Sequence, residues 1–421
     1  MRVGAARIDI TPEEPVRLCG YVGRTELNEG VEQPIVAGAL AFQPADQPPA
    51  LLISAEVTAF PAALTERLAQ RLSEQAGVPR ERFVLTCTHT HSAPCVTGAL
   101  PNMFGRPIPE AHVEGIERYT RMLFERLEQV ALSALAGMEP GTLSCGEGRA
   151  TFGANRRTEG GPADPALPVL VARNRDGQPL AIVANYACHC TTLRGFNRIH
   201  GDWAGEARER IEATHPGAVA LITLGFAGDI NPSPRDKLEY AHEHGQHVAT
   251  EIERLLAGAM VPLRNAPVCG ITRIALPFDR IPARAEWERL AKEEGAVGYH
   301  ARQFLALLDR GETIPEALSY PVQVWSFGRD LTMVFLAGEV VIDYALRLKA
   351  EHPDHRLWLT AYANDVPCYI PSVRVLREGG YEADGSNLYY GQPARLAECV
   401  EDKVVGAVRA LIEAADACVH S

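Results

Sequence analysis

A chain of 421 residues with 46% hydrophobic composition can bury a large core, and its net charge of −12 lacks the basic surplus that a nucleic acid or an anionic membrane surface demands. No apolar run approaches the roughly 20 residues of a membrane helix, and residues 1–10 contain no apolar stretch of signal-peptide kind. The expectation is a cytoplasmic protein with no stable membrane insertion and no nucleic-acid partner, acting on a small molecule. Its 10 cysteines are scattered and form no C-x-x-C pair, so buried free thiols are expected in place of disulfides.

Residues 3–10 read as a strand that Thr11-Pro12 stops. Residues 51–55 form a short apolar strand, residues 61–74 a helix with Leu64, Leu68 and Leu72 four apart, and residues 83–87 the next strand. Strand–helix–strand order is the signature of an α/β unit. Residues 115–136 are predicted helical, with Ile116, Tyr119, Leu123, Leu127 and Val130 on one stripe. Strands follow at 141–149, 168–173 and 180–187, then a helix at 203–214 and a strand at 219–223. The spacing next predicts a helix at 238–259, on which His242, His244 and His247 spread round a solvated surface. A strand at 268–277 precedes a charged helical stretch at 285–308. Strands at 322–327 and 332–336, a helix at 340–350, a strand at 357–361 and a helix at 393–414 complete the chain. The fold class is α/β, a mixed β-sheet core flanked by helices. One large domain spans residues 1–421, with a helical insertion near 281–321 lying over the site.

The chemistry begins at Thr88-His89-Thr90-His91-Ser92-Ala93-Pro94, directly after the apolar run Phe83-Val84-Leu85. Side chains two apart on a strand point to one side. His89 and His91 are therefore predicted to project together at a strand's C-terminal end, where α/β sheets commonly build sites. A lone histidine there more often closes a core hydrogen bond. The pair favours a metal ligand beside an acid/base neighbour. Cys188-His189-Cys190 reads either as a thiolate zinc site or as packing cysteines around a ligating histidine. Strand alternation, which turns both cysteines away from His189, favours the second. Four further segments join a strand end, a glycine or proline and a reactive side chain: residues 185–190, 226–232, 336–339 and 363–371. Each is weak alone. Glu339 would simply start a helix in its favourable dipole, Tyr369 would pack, Arg156 would stay solvated beside Arg157, and Asp229 would form an Asx-type turn.

Taken in order, with the opening residues 3–12, Asn155-Arg156 and Gly379-Gly380-Tyr381-Glu382, these segments resemble the catalytic domain of the neutral/alkaline non-lysosomal ceramidases over nearly the whole chain. The resemblance implies a zinc ion held by His89, His189, Glu339 and Tyr369. Zinc would have to lower the tyrosine pKa from about 10 to bind it as phenolate. It implies that His91 orients or deprotonates a water, that Arg156 holds a substrate oxygen, and that Tyr381 donates to a developing oxyanion. Asp229, with Asp202, would fix the geometry of these groups.

The activity so implied is zinc-dependent hydrolysis of a linear amide by an activated water. Ester or lactone hydrolysis, and isomerisation or elimination at the same zinc, are the alternatives; a binding protein with a relict site is the third reading. The chain departs from the family pattern at Asn231, where the family carries Ser within Gly-Asp-x-Ser-Pro. The family's immunoglobulin-like C-terminal domain and secretion signal are not expected in this chain. Together these differences point to a small soluble N-acyl substrate in preference to ceramide.

Overall fold

The computed structural model describes residues 1–419. Strands β1 (Arg2–Asp9), β2 (Val36–Gln43), β3 (Ala50–Ala55) and β4 (Phe83–Cys87) lie side by side in that order. Helix α1 (Ala62–Ala76) crosses from β3 to its parallel neighbour β4. Helix α2 (Glu110–Ala136) packs across β1, β2 and β3. The chain then forms β5 (Glu139–Arg149), β6 (Gly153–Asn155), β7 (Ala166–Asn174) and β8 (Pro179–Tyr186). Helix α3 (Asp202–Thr214), β9 (Val219–Leu224), β10 (Ile230–Pro232), helix α4 (Leu238–Leu256) and β11 (Val261–Pro262) follow. Strands β5, β7, β8 and β9 extend the first sheet, with β11 on the flank of β5. The two halves join through only Arg2↔Pro140 and Val3↔Glu139. The row curls until β9 lies against β2, β3 and β4.

A second sheet contains β12 (Val268–Pro277), β13 (Ala317–Ser326) and β14 (Thr332–Leu336). Helices α5 (Arg284–Leu290) and α6 (Gly295–Asp309) stand between β12 and β13 on a small core of Trp287, Ala301 and Phe304. After β15 (Glu339–Val340) and helix α7 (Ile342–Glu351), β16 (Leu357–Thr360) pairs parallel with β14. Then come β17 (Tyr369–Ile370), α8 (Val373–Glu378), a π-helical turn at Tyr381–Gly385, α9 (Asn387–Tyr390) and α10 (Val400–Val419). Phe42, Leu52, Val84, Val183 and Leu221 from the first sheet meet Trp325, Met333, Phe335 and Trp358 from the second in one interior. The architecture is the expected mixed α/β one. Among the described residues no helix is long and apolar enough to cross a membrane.

Several elements differ from the sequence expectation, each for a physical reason. Strand β2 has no sequence signal, because its Ala and Gly residues carry little β-propensity. Its small residues answer a packing demand: a Cβ on Gly38 would lie 3.1 Å from the Leu221 side chain. The stretch 285–308 is two helices, broken before Gly295, which takes φ 70°. The last helix begins at Val400, not at 393. His244, expected in solvent, is buried on the inner stripe of α4, where it stacks on Phe152 at 4.3 Å and its Nε2 donates to the Pro234 carbonyl at 2.8 Å.

The site is built from the C-terminal ends of parallel strand pairs. His89 follows β4, His189 follows β8, Asp229 follows β9, Glu339 follows β14 and Tyr362 follows β16. Carbonyls exposed where parallel strands stop, and loops free to turn there, make this the natural meeting place for side chains.

One long-range contact of this frame has a pH signature. Helix α1 begins after Pro61 with no side-chain cap of its own, and Asp365 Oδ1 accepts from the Ala62 N–H at 2.9 Å. Burial pushes the Asp365 carboxyl up to about 6, against about 3.9 in an unfolded chain. The folded state therefore holds the proton more tightly, and stability falls as pH rises from about 4 to about 6. Asp365→Asn keeps the acceptor and removes the ionisation. It is expected to gain roughly 1–2 kcal/mol over the native chain at pH 7.5 and nothing at pH 4, read from urea unfolding midpoints. Equal gains at both pH values would rule the explanation out.

Candidate metal centre

Strand β4 ends at Cys87, so strand alternation does not bring His89 and His91 together as the sequence reading supposed. His89 instead adopts φ 53°, a left-handed conformation that costs about 1–3 kcal/mol outside glycine. The surroundings hold it there. Its Nδ1–H donates to the Thr58 carbonyl at 2.6 Å, and the Tyr362 ring, itself on a residue with φ 54°, lies 4.5 Å away at a 30° tilt. The turn swings the two imidazoles face to edge, with Nε2 of His91 3.1 Å from Nε2 of His89. His91 N–H donates to the Cys190 carbonyl at 3.3 Å, tying this loop to the segment that carries His189.

His189 is fully buried, and its Nδ1–H points at the carbonyls of Ala227 (2.6 Å) and Ile230 (3.1 Å). Cys188 and Cys190 on either side are free and buried, and burial raises both thiols well above their ordinary range. They pack. The nitrogens of His89, His91 and His189 all lie within 4.8 Å of one another, the only such group of metal-capable side chains among the described residues.

Glu339 closes this group. Its Oε2 sits 2.8 Å from His189 Nε2 and 3.5 Å from His89 Nε2. The Tyr390 hydroxyl donates to Oε1, and the Tyr362 hydroxyl to Oε2 at 3.4 Å. Burial favours the protonated acid, but His89, His189 and the Tyr390 hydroxyl outweigh it and hold Glu339 well below the usual carboxylate range. Burial meanwhile presses His89 down to about 4.

The donor set follows from these bonds. With Nδ1 of both rings committed to carbonyls, each Nε2 turns a lone pair toward a carboxylate oxygen. Lone pair against lone pair at these distances is repulsive unless a positive charge lies between. Four ligands at the Zn–N and Zn–O lengths of a tetrahedral site are separated by about 3.3 Å, and the observed 2.8 and 3.5 Å bracket that value. The residues present fit a divalent ion of zinc type. Carbonyl-bonded Nδ1–H groups are the usual support of ligating histidines.

Tyr369 is the register partner of Glu339 in the two-stranded parallel sheet β15–β17, so it lies beside the carboxylate. Its hydroxyl accepts from Arg156 Nη2 at 3.0 Å. Burial raises the phenol well above its ordinary value, and Arg156 opposes that shift without overcoming it. Arg156 is held by Glu382, through its Nε at 2.7 Å, and reaches Asn231 Oδ1 with Nη1 at 3.5 Å. Tyr381 stands at the mouth, 44% exposed, its ring 5.5 Å from that of Tyr369 and within 5.8 Å of the Arg156 guanidinium. Asp229 lies behind this layer. Its carboxylate accepts from Ile342 N–H at 2.8 Å and Asn155 Nδ2 at 3.0 Å, and its carbonyl accepts from Arg156 N–H at 2.8 Å. It therefore anchors Arg156 through the backbone. Asp202 uses its carboxylate on the N–H groups of Thr192, Leu193 and Trp203, fixing the loop after His189.

Tyr362, Tyr390 and Glu382 were not identified as site residues from the sequence. Tyr362 adjoins the Ala363–Pro371 segment and Glu382 adjoins Tyr381, so a wider window round each motif finds them. Tyr390 carries no such signal. Removing its hydroxyl in Tyr390→Phe is expected to weaken metal binding about 10- to 100-fold with little loss of fold, as for other groups that orient a ligand. Competition with a chromogenic chelator measures it.

Beside the centre, an apolar cleft of about 440 Å³ is lined by Cys19, Cys95, Leu100, Met103, Phe104 and Tyr299, among others. Cys19 faces the cleft, while a Cβ on the next residue, Gly20, would fall 2.5 Å from the His91 ring.

No protein-family model and no curated protein sequence matches the chain. Solved structures do. The crystal structure of neutral ceramidase from Pseudomonas aeruginosa superposes with a TM-score of 0.74 at 18% identity, over 99% of this chain and 74% of that one. A ceramidase complexed with C2 superposes with a TM-score of 0.76 at 18% identity, over 100% and 75%. At this identity the likeness establishes a shared fold, which is the one the sequence resemblance implied.

Proposed function

We propose that the chain is a metal-dependent hydrolase that cleaves a linear amide bond of a small N-acyl substrate, with zinc as its ion. The observation that carries this reading is the buried Glu339 carboxylate facing two imidazole lone pairs beside a charged Arg156. The ceramidase-like fold supports it. His89, His189 and Glu339 would hold the ion, with Tyr369 as the fourth group. When bound, such an ion polarises a carbonyl and makes water a better nucleophile near neutral pH.

The chain's own side chains supply the rest. Burial keeps His91 well below its ordinary pKa, so it is neutral at pH 7 and able to accept a proton. Its Nδ1 is buried with no hydrogen-bond partner among the described residues. Arg156 stays cationic and offers Nη1 toward the pocket, where a substrate oxygen gains negative charge. Tyr381 is un-ionised at neutral pH, as any ordinary phenol is, and burial raises its hydroxyl further. It therefore donates a hydrogen bond at the mouth and needs no loop movement to reach solvent.

The test combines metal analysis with turnover. Purified protein is expected to carry about one zinc per chain and to lose amide hydrolysis on chelation, with recovery on adding zinc back. Run in heavy-oxygen water, the reaction places solvent oxygen in the acyl product. A product without solvent oxygen transfers the site to isomerisation or elimination. Full activity after the metal is stripped removes the proposal.

A further inference from the structure

The segment after β10 runs beside the His189 loop in the same direction: His189 N–H donates to the Ile230 carbonyl at 3.0 Å and Asp236 N–H to the Thr192 carbonyl at 2.7 Å. This places residues 231–235 along the wall of the centre. Two donors on that wall are unused. Asn231 Oδ1 receives Arg156 Nη1 and Thr191 Oγ1, both at 3.5 Å, while its Nδ2 has no acceptor among the described residues. Arg235 is half-buried and makes no hydrogen bond or ion pair among the described residues.

The neighbouring charges do not satisfy it. Arg194, close by, takes Asp236 as its partner at 2.8 Å, and Arg156 takes Glu382 at 2.7 Å. The electrostatic neighbours of Arg235 are Arg194, Tyr21, Asp236 and Arg156, and Tyr21 packs its ring 5.0 Å from His91. A guanidinium partly withdrawn from water, next to two other arginines and with no anion of its own, is costly unless a ligand brings one. In a chain of net charge −12 this local excess of positive charge is not a general property of the surface.

We infer that Arg235 and the Asn231 amide recognise a carboxylate on the substrate, so that the amides cleaved are N-acyl amino acids or other amides bearing an acid close to the scissile bond. The planar guanidinium fork matches a carboxylate with two parallel hydrogen bonds, and the Asn231 N–H adds a third donor. Asn231 gains a role here that a serine cannot copy. A serine hydroxyl is shorter and carries its acceptor and its single donor on one atom, so it cannot place them at two separate positions as the amide does. The inference rests on the hydrolase reading for its turnover but not for its binding site.

The experiment uses the zinc-loaded full chain and a matched pair of substrates, an N-acyl amino acid and its carboxamide, in native and Arg235→Gln forms. In parallel, calorimetry follows a sulfonamide analogue that keeps the carboxylate and cannot be hydrolysed. The native enzyme is expected to favour the acid, and Arg235→Gln to lower the acid-to-carboxamide ratio of kcat/KM about 10- to 100-fold through KM. Sulfonamide binding weakens by a similar factor. Native enzyme that treats the pair alike, or a variant that depresses both equally, overturns the inference and leaves the hydrolase reading standing. Arg235-dependent sulfonamide binding without turnover of any amide does the reverse.

Discussion

His189→Ala is expected to yield a folded chain that holds no stoichiometric divalent ion and hydrolyses amides at least about a thousandfold more slowly, a loss of several kcal/mol of charge stabilisation. The ring is fully buried and lies between two carbonyls on one side and Glu339 on the other. No neighbouring side chain can replace it, because Cys188 and Cys190 are committed to the core as protonated thiols. His89→Ala is expected to behave alike; alanine keeps the Cβ, so the strain at φ 53° remains. His91→Gln separates two arrangements of the same atoms. If His91 is a proton acceptor, the variant keeps its zinc and loses kcat. If it is the fourth ligand in place of Tyr369, the zinc goes too. Metal content by mass spectrometry, beside kcat for an N-acyl amide, decides all three. Full zinc and full activity in both alanine variants would remove the centre from the protein's chemistry.

The second large effect comes from a residue with no side chain. A Cβ on Gly228 would stand 2.5 Å from the Glu339 carbonyl oxygen and 3.0 Å from the Glu339 and Val340 carbonyl carbons. All three are backbone atoms, and the Gly228 N–H is bonded to the Val340 carbonyl at 2.8 Å, so neither side can move away cheaply. Gly228→Val must push the strand carrying Glu339. The expected cost is about 1–3 kcal/mol of stability from overpacking and, because the carboxylate leaves its place between the imidazoles, about 10- to 100-fold in metal affinity. Gly23→Ala is the control, since a Cβ there meets nothing within 4 Å. Chelator competition and thermal unfolding are the readouts. A Gly228→Val protein with native metal affinity would show that Glu339 is not held by this contact.

How much of this was legible in the sequence depends on how local the determinants are. The strand β4 and helix α1 are written in apolar spacing that a short window reads, and their bounds agree with expectation to within a few residues. Strand β2 is not, since its Ala and Gly residues are chosen by the close approach of β9 and not by backbone preference. At the site, His89, His91, His189 and Glu339 stand at strand ends in recognisable surroundings, and the fold brings them together. The reason given for His89 and His91 was nevertheless mistaken: a left-handed residue, not strand alternation, sets their geometry. Tyr390 was invisible because its role exists only once α9 has folded back over Glu339. Asp229 shows the opposite limit. Its surroundings marked it out, while only the structure shows that it acts by holding the backbone of Arg156.

The imidazole and carboxylate that meet at 2.8 Å are 150 residues apart along the chain, His189 after a strand of the first sheet and Glu339 in β15, after a strand of the second. The three histidines all follow strands of the first sheet, and docking of the second brings the carboxylate to them. An ion bound by this set would therefore meet its full set of donors only in the assembled molecule, unlike a zinc finger, where neighbouring ligands gather round the ion first. Tight uptake of such an ion would then report on the docking of the two sheets, a long-range stage of folding.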